Sequence, residues 1–253
     1  MIGVRGAEVA GQLEFLRSLI TPAVSDRLRR GGIHESACRE NGAAGYGPVE
    51  SDCLYAFVRT MRPQKVVQIG AGVSTAVILS AARDAGYAPE VVAVDPYPTA
   101  FLREAPVTVI ERDAQEVPIE ELSALASGDI LFIDSTHTVK VDGEVNLLVL
   151  EVLPRLAPGV WVHFHDVNFP YDYQRDILHP PLFYWTESTL LHAFLTGNPG
   201  FKIAASLSML HYGAAGEVQR LIPRYHPAAN QDGLGARAAD GDFPSSVYLL
   251  RDP

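Results

Sequence analysis

Four carboxylates and two imidazoles stand just beyond the carboxyl ends of short apolar runs, where open α/β sheets deliver the groups that meet ligands. Asp95 closes Glu90-Val-Val-Ala-Val, and Asp113 follows the run ending at Ile110. Asp134 closes Asp129-Ile-Leu-Phe-Ile with His137 three residues further on, and His165-Asp166 closes Gly159-Val-Trp-Val-His-Phe. A carboxylate and an imidazole held together can bind a cation or move a proton. Each also has a plainer use, since Asp134 can cap the turn that follows it and His137 can be a hydrogen-bonded loop histidine.

What these groups would surround is set by Lys65-Val-Val-Gln-Ile-Gly-Ala-Gly-Val-Ser-Thr-Ala-Val-Ile78. Val66, Val67 and Ile69 are a β-branched run suited to a strand buried on both faces. The Gly70-Ala71-Gly72 turn lets the backbone bend and approach a ligand, and Ser74 or Thr75 can cap the helix that follows, whose free N–H groups face the turn. Asp95, about twenty-five residues on, occupies the position that holds a ribose diol in nucleotide-binding sheets. Asp113 either reaches an adenine amino group or caps a helix. A dinucleotide enzyme would place a third glycine where Thr75 stands, so the pattern points away from NAD and towards S-adenosylmethionine.

The chain has 253 residues, enough for one α/β domain with extensions. Its formal charge of -10 opposes binding to nucleic acid or anionic membrane. Cys38 and Cys53 form no Cys-x-x-Cys, so no thiolate zinc site or disulfide framework is expected and a reducing cytoplasm fits. Glu8 and Glu14 interrupt the N-terminal apolar residues, which argues against a signal peptide or membrane span.

Helical spacing of Val9, Leu13, Leu16 and Ile20, broken by Pro22, predicts an N-terminal helical segment over 1–48 that acts as a lid or oligomerisation element and leaves room for a homo-oligomer. Within it, residues 31–48 read as loop because of their glycines. Helices are expected at 50–61, 75–85, 119–126, 142–156 and 187–195, alternating with strands, and final strands at 201–207 and 245–250 pair antiparallel at a sheet edge. The expected fold is α/β and doubly wound, mostly parallel with an antiparallel last strand and helices on both faces, over 49–253, with inserted loops at 167–186 and 212–244. The first loop is rich in proline and aromatics, which either wall an acceptor pocket or anchor the loop, and Tyr46 either lines the site or packs beneath a loop. His163 is expected to be a core histidine, and His179, His192, His211 and His226 have no partner readable from spacing.

Ile69-Gly-Ala-Gly-Val-Ser-Thr75, Val94-Asp95-Pro96, Phe132-Ile-Asp134-Ser-Thr-His137 and His165-Asp166 together resemble the class I S-adenosylmethionine-dependent methyltransferases. Within them the chain is similar to the small-molecule O-methyltransferases related to macrocin O-methyltransferase and to cephalosporin hydroxylase-like proteins, from about Tyr46 to Leu250. The resemblance implies a Rossmann-like sheet, cofactor bound around Gly70, Gly72 and Asp95, a divalent metal near the acceptor held by Asp134 and the His165-Asp166 pair, and His137 as the base. The first expectation is O-methylation of a small, hydroxyl-rich metabolite, such as a sugar or a secondary metabolite. Trp185-Thr-Glu-Ser-Thr-Leu-Leu191 and Leu207-Ser-Met-Leu-His211 resemble the C-terminal region of that group without carrying legible chemistry. The chain departs from the family at Gln68, where an acidic residue often binds the methionine amino group, and at His165, where macrocin-type enzymes have Glu.

The chemistry agrees with this reading. Methyl transfer from a sulfonium is an in-line displacement, so the protein mostly aligns donor and nucleophile and removes a proton. A metal on the acceptor oxygen lowers the hydroxyl pKa, and oxygen ligands from Asp134 and Asp166 suit Mg²⁺, whereas ligation by His165 shifts the site towards Mn²⁺, Fe²⁺ or Zn²⁺. Side chains alternate along a strand, so His165 and Asp166 face the site together only if the strand has already ended, and Asp166 is the expected ligand of the two. The competing functions are N- or C-methylation or a hydroxylation on the same fold, a non-catalytic ligand-binding protein, and an NAD-dependent dehydrogenase.

Overall fold

The computed structural model describes residues 1–173, 184–228 and 241–252. Its centre is a seven-stranded sheet, β1 (Lys65–Ile69), β2 (Glu90–Val94), β3 (Thr108–Ile110), β4 (Ile130–Ile133), β5 (Trp161–Phe164), β6 (Phe201–Ser206) and β7 (Val247–Arg251), in the order β3-β2-β1-β4-β5-β7-β6. The first five strands are parallel, and β7 runs antiparallel to both β5 and β6. The order reverses beside β1, so a crevice opens beyond the carboxyl ends of β1, β2 and β4.

Period-two alternation divides the apolar strand residues between two cores. Val66, Ile130, Phe132, Trp161 and Tyr248 face one side, and Val67, Leu131, Ile133, Val162, Phe164 and Leu249 the other. The first side is covered by α1 (Val9–Leu19), α2 (Pro22–Arg30), α3 (Ile33–Asn41), α4 (Pro48–Met61), α5 (Val73–Asp84) and α10 (Leu207–Leu221). The second is covered by α7 (Ile119–Leu122), α8 (Glu144–Leu147), which continues into a π-helical turn over Leu148–Val152, and α9 (Glu187–Leu195). A short α6 (Ala100–Glu104) follows β2, capped by the Thr99 hydroxyl accepting from the Leu102 N–H.

Leu13, Leu16, Leu19, Val24 and Leu28 are buried in the same core as Phe57 and Val77. The apolar stripe of the N-terminal segment is therefore used to cover the sheet. Several elements differ from expectation, among them α6, which was not expected, and the helix expected over 119–126, which stops at Leu122. Residues 33–41 are helical between left-handed Gly32 and Gly42, which bound the helix and do not dissolve it. Part of the expected 212–244 loop is the second half of α10, which leaves β6 without a turn because the Ser206 hydroxyl accepts from the Met209 N–H at 3.4 Å. The helix predicted over 142–156 begins at Glu144 and changes pitch at Leu148. No helix among the described residues is long and apolar enough to cross a membrane.

Candidate active site

Gly70 ends β1 with φ +79°, and a Cβ built on it would lie 1.9 Å from the Asp134 carbonyl oxygen. What excludes a side chain there is the neighbouring strand end, so the sequence-based reason, close approach of a ligand, is not the first constraint. Gly72 has φ +148°, and its missing Cβ faces the Asn41 amide at 3.2 Å. The Thr75 hydroxyl accepts from the Gly72 N–H at 3.1 Å and donates to Gln68 Oε1 at 2.8 Å, while Gln68 Nε2 donates to the Ser74 hydroxyl at 3.2 Å. Gln68 is fully buried. It binds the first turn of α5 and occupies the hydroxyls of Ser74 and Thr75.

Asp95 completes the turn: Oδ2 accepts from the Ala71 N–H at 3.1 Å and Oδ1 from the Tyr97 N–H at 2.8 Å. Asp113 precedes a 3₁₀ turn over Ala114–Glu116 and makes no side-chain capping bond, which removes the plainer of its two sequence-based uses. Gly70, Asp95, Asp113, Asp134, Lys140 and Glu144 line one cleft of about 350 Å³, within the range of small-ligand sites. Glu144 is buried there and accepts from the Thr136 N–H and hydroxyl at 3.1 and 2.6 Å. Burial pushes its carboxyl up, but these bonds hold it below the usual range.

Asp134 is also a member of an ionic cluster. Its Oδ1 lies 3.2 Å from His165 Nδ1 and 3.5 Å from His137 Nε2. Asp166 Oδ2 lies 3.5 and 3.7 Å from the same two nitrogens. The His165 N–H still donates to the Ile133 carbonyl at 3.0 Å, but β5 ends at Phe164 and Asp166 takes φ +53°. The left-handed turn breaks strand alternation, so both side chains converge on Asp134, the case the alternation argument left open for a strand that has already ended. Asp166 is held from behind by the Ser245 hydroxyl, which donates to Oδ1 at 2.9 Å, while the Ser245 N–H donates to buried Glu50 at 2.9 Å.

The charges shift accordingly. Burial pushes the Asp134 carboxyl up, but the imidazoles of His165 and His137 outweigh it and hold it well below the usual carboxylate range. Burial opposes charging of His137, yet its bonds to Asp134 and Glu187 raise it to about 10. Burial likewise opposes charging of His165, and the Asp134 and Asp166 carboxylates raise it to about 9. Tyr46 lies against the His165 ring with centroids 4.8 Å apart, and its hydroxyl is 3.1 Å from His163 Nε2. His163 is a core residue, stacked on Phe132 at 4.5 Å. His179 lies outside the described residues.

Donor atoms of Asp134, His137 and Asp166 lie within 4.8 Å of one another. Two carboxylates and the imidazoles between them are a donor set that fits a divalent cation, which would also offset the carboxylate charge now balanced by protonated rings. Glu50, Glu187 and Ser245 are the members sequence reasoning missed. Glu187 begins α9 and reads as an ordinary acidic residue in a first helical turn. No local signal connects it with His137, fifty positions earlier.

Residues 67–167 match the family described as a methyltransferase domain. No curated protein matches the chain. Among solved structures, the O-methyltransferase TomG from Streptomyces achromogenes, involved in tomaymycin synthesis and holding SAM, superposes with a TM-score of 0.51 at 14% identity over 92% of this chain and 91% of its own. An O-methyltransferase from Bacillus cereus in complex with SAH gives 0.51 at 12% identity over 91% and 97%. Cofactor-bound Rv0187 from MTB gives 0.54 at 16% identity over 87% and 90%. The chain has the fold of the class I methyltransferases, and Gly70, Asp95, Asp113, Asp134, His137, His165 and Asp166 all lie inside the segment matched by the family.

Proposed function

We propose that the chain methylates a hydroxyl on a small metabolite, such as a sugar or a secondary metabolite, using S-adenosylmethionine and a divalent cation. The observation that carries this reading is that Asp134 belongs to both constellations. It walls the cleft shared by Gly70 and Asp95, and its carboxylate lies 3.5 Å from His137 Nε2. When bound, the cofactor supplies a methyl group activated by its sulfonium, and the cation supplies an electrophilic anchor that acidifies the acceptor hydroxyl.

The chain's own residues do the rest. Asp95 and Asp113 hold the polar parts of the cofactor against the Gly70-Ala71-Gly72 turn, with Ser74 and Thr75 securing the turn from behind. Asp134, Asp166 and His165 hold the cation, Mg²⁺ on the two carboxylates alone or Mn²⁺, Fe²⁺ or Zn²⁺ with the imidazole. His137 Nε2 takes the hydroxyl proton once the neighbouring carboxylates no longer keep the ring charged. Trp185, edge-on to that ring at 4.9 Å, restricts water at the base.

Purified protein should bind S-adenosylhomocysteine calorimetrically at micromolar concentrations and ignore NAD. With labelled S-adenosylmethionine, Mg²⁺ or Mn²⁺ and a panel of polyhydroxylated acceptors, one product should gain a single labelled methyl group, and His137→Ala should abolish that gain while leaving S-adenosylhomocysteine affinity within about threefold. Absence of S-adenosylhomocysteine binding at millimolar concentration would end the proposal.

A further inference from the structure

His137 is gripped by the start of α9 in two separate ways. Its carbonyl accepts from the Thr186 and Glu187 N–H groups at 2.8 and 3.1 Å, and the Val139 N–H donates to the Thr186 hydroxyl at 2.8 Å. These three bonds already tie the loop to the helix at a residue with φ +57°. The Glu187 side chain adds a fourth contact that the tie does not need: Oε2 lies 2.8 Å from His137 Nδ1. Glu187 is fully buried, and its Oε1 has no hydrogen-bond partner among the described residues. A carboxylate kept out of water with half its acceptor capacity unused is costly, so its one bond is where a function must lie. Burial pushes the Glu187 carboxyl up and the His137 imidazole beside it draws it partly back down; as the carboxylate partner of that ring it can only accept. It therefore requires a proton on Nδ1 and leaves Nε2 as the nitrogen that gives up or receives one, on the side of Asp134 and Asp166.

We propose that Glu187 is the positioning residue of the site, fixing the His137 ring with Nδ1 protonated and Nε2 turned to the ionic cluster. This rests on the reading in which His137 takes the acceptor's proton. A purely mechanical role is met by the backbone bonds, and a role in holding a metal-ligating histidine gives a different outcome below.

The test compares full-length Glu187→Gln and Glu187→Ala with the wild type. With ¹⁵N-histidine labelling and His137→Gln to assign the signal, the wild type should keep a slowly exchanging low-field Nδ1 proton on His137 in both the apo protein and the Mg²⁺-loaded form. Gln, whose amide oxygen also accepts, should retain the signal and Ala should lose it. With any acceptor the wild type methylates, Ala should lower kcat roughly 100-fold with KM within threefold, and Gln should recover most of the loss. Mn²⁺ affinity, read by paramagnetic resonance, should stay within threefold in both variants. A wild-type His137 protonated on Nε2 alone, an Ala variant with the signal intact, or a tenfold loss of Mn²⁺ affinity in Ala would each overturn the proposal, the last by making His137 a ligand. The proton signal needs no acceptor, so it separates failure of this inference from failure of the methyltransferase reading.

Discussion

Asp52 gives a prediction whose sign and size both follow from its surroundings. It lies in α4 with both carboxylate oxygens buried and without a hydrogen-bond partner among the described residues. Burial raises its pKa from 3.8 to about 7, only partly countered by Arg224, which is itself paired with Glu35 at 2.9 Å. The folded chain thus keeps a proton that the unfolded chain releases between those values. Stability falls as pH rises through this window, and the whole loss is present above pH 7. The difference of about 3 pKa units corresponds to about 4 kcal/mol at 1.36 kcal/mol per unit. Asp52→Asn does not titrate. Urea denaturation of both proteins from pH 4 to 8 should give a variant-minus-wild-type difference that grows by about 2 kcal/mol near pH 5.5 and about 4 kcal/mol by pH 8. Taking the difference cancels the other titrating groups. A difference flat to within about 0.5 kcal/mol would mean that the Asp52 carboxylate is solvated or paired, and the burial reasoning would be wrong.

Gly70→Ala places a methyl group 1.9 Å from the Asp134 carbonyl oxygen at φ +79°; the left-handed backbone and the clash together should cost roughly 3 kcal/mol or more, about 10 °C in melting temperature, and a melt within 2 °C of wild type would contradict the tight β1–β4 junction. Asp95→Ala removes the acceptor of the Ala71 and Tyr97 N–H groups and should weaken S-adenosylhomocysteine about 10- to 100-fold by calorimetry, an unchanged affinity being evidence that the ligand lies elsewhere.

The centre of the sheet was legible because β1, β2 and β4 are short apolar runs closed by Gly70, Asp95 and Asp134, signals that act within a few residues. Asp95, Asp113 and Asp134 fell into one cleft for the same reason: each ends a parallel strand, and parallel strands end on one side. The helix over Ile33–Asn41 was not legible, because only Ile33 and Ala37 are buried in it and glycines at both ends mark loops and helix caps alike. In α10 the run Gly213-Ala-Ala-Gly216 suggests slack, and the chain does leave helical geometry at Ala214. Packing of Leu210 and Val218 into the sheet core holds both halves despite weak local propensity. Glu50, Glu187 and Ser245 reach the cluster only through tertiary contacts across most of the chain, which no local pattern encodes.

The same limit explains why the convergence of His165 and Asp166 at the end of β5 was not legible. Adjacent residues on a strand point apart, so a site needing both can be built only by leaving the strand, and the cluster does this at a price in backbone conformation. His137 and Asp166 are two of the five non-glycine residues with positive φ among those described, and both carry side chains into the cluster. Such residues cost on the order of 1–3 kcal/mol each and persist when surrounding bonds over-determine them. Here those bonds can be named: the α9 N–H groups on the His137 carbonyl, and Ser245 on both sides of Asp166, with its hydroxyl on the carboxylate and its carbonyl accepting from the Val167 N–H at 2.7 Å. Asp134 stands between these two left-handed residues with its own N–H donating to the Ile69 carbonyl at 2.8 Å. The turn that faces the cleft lined by Gly70 and Asp95 and the carboxylate that faces the imidazoles are therefore one junction, and displacement of either should be felt by both.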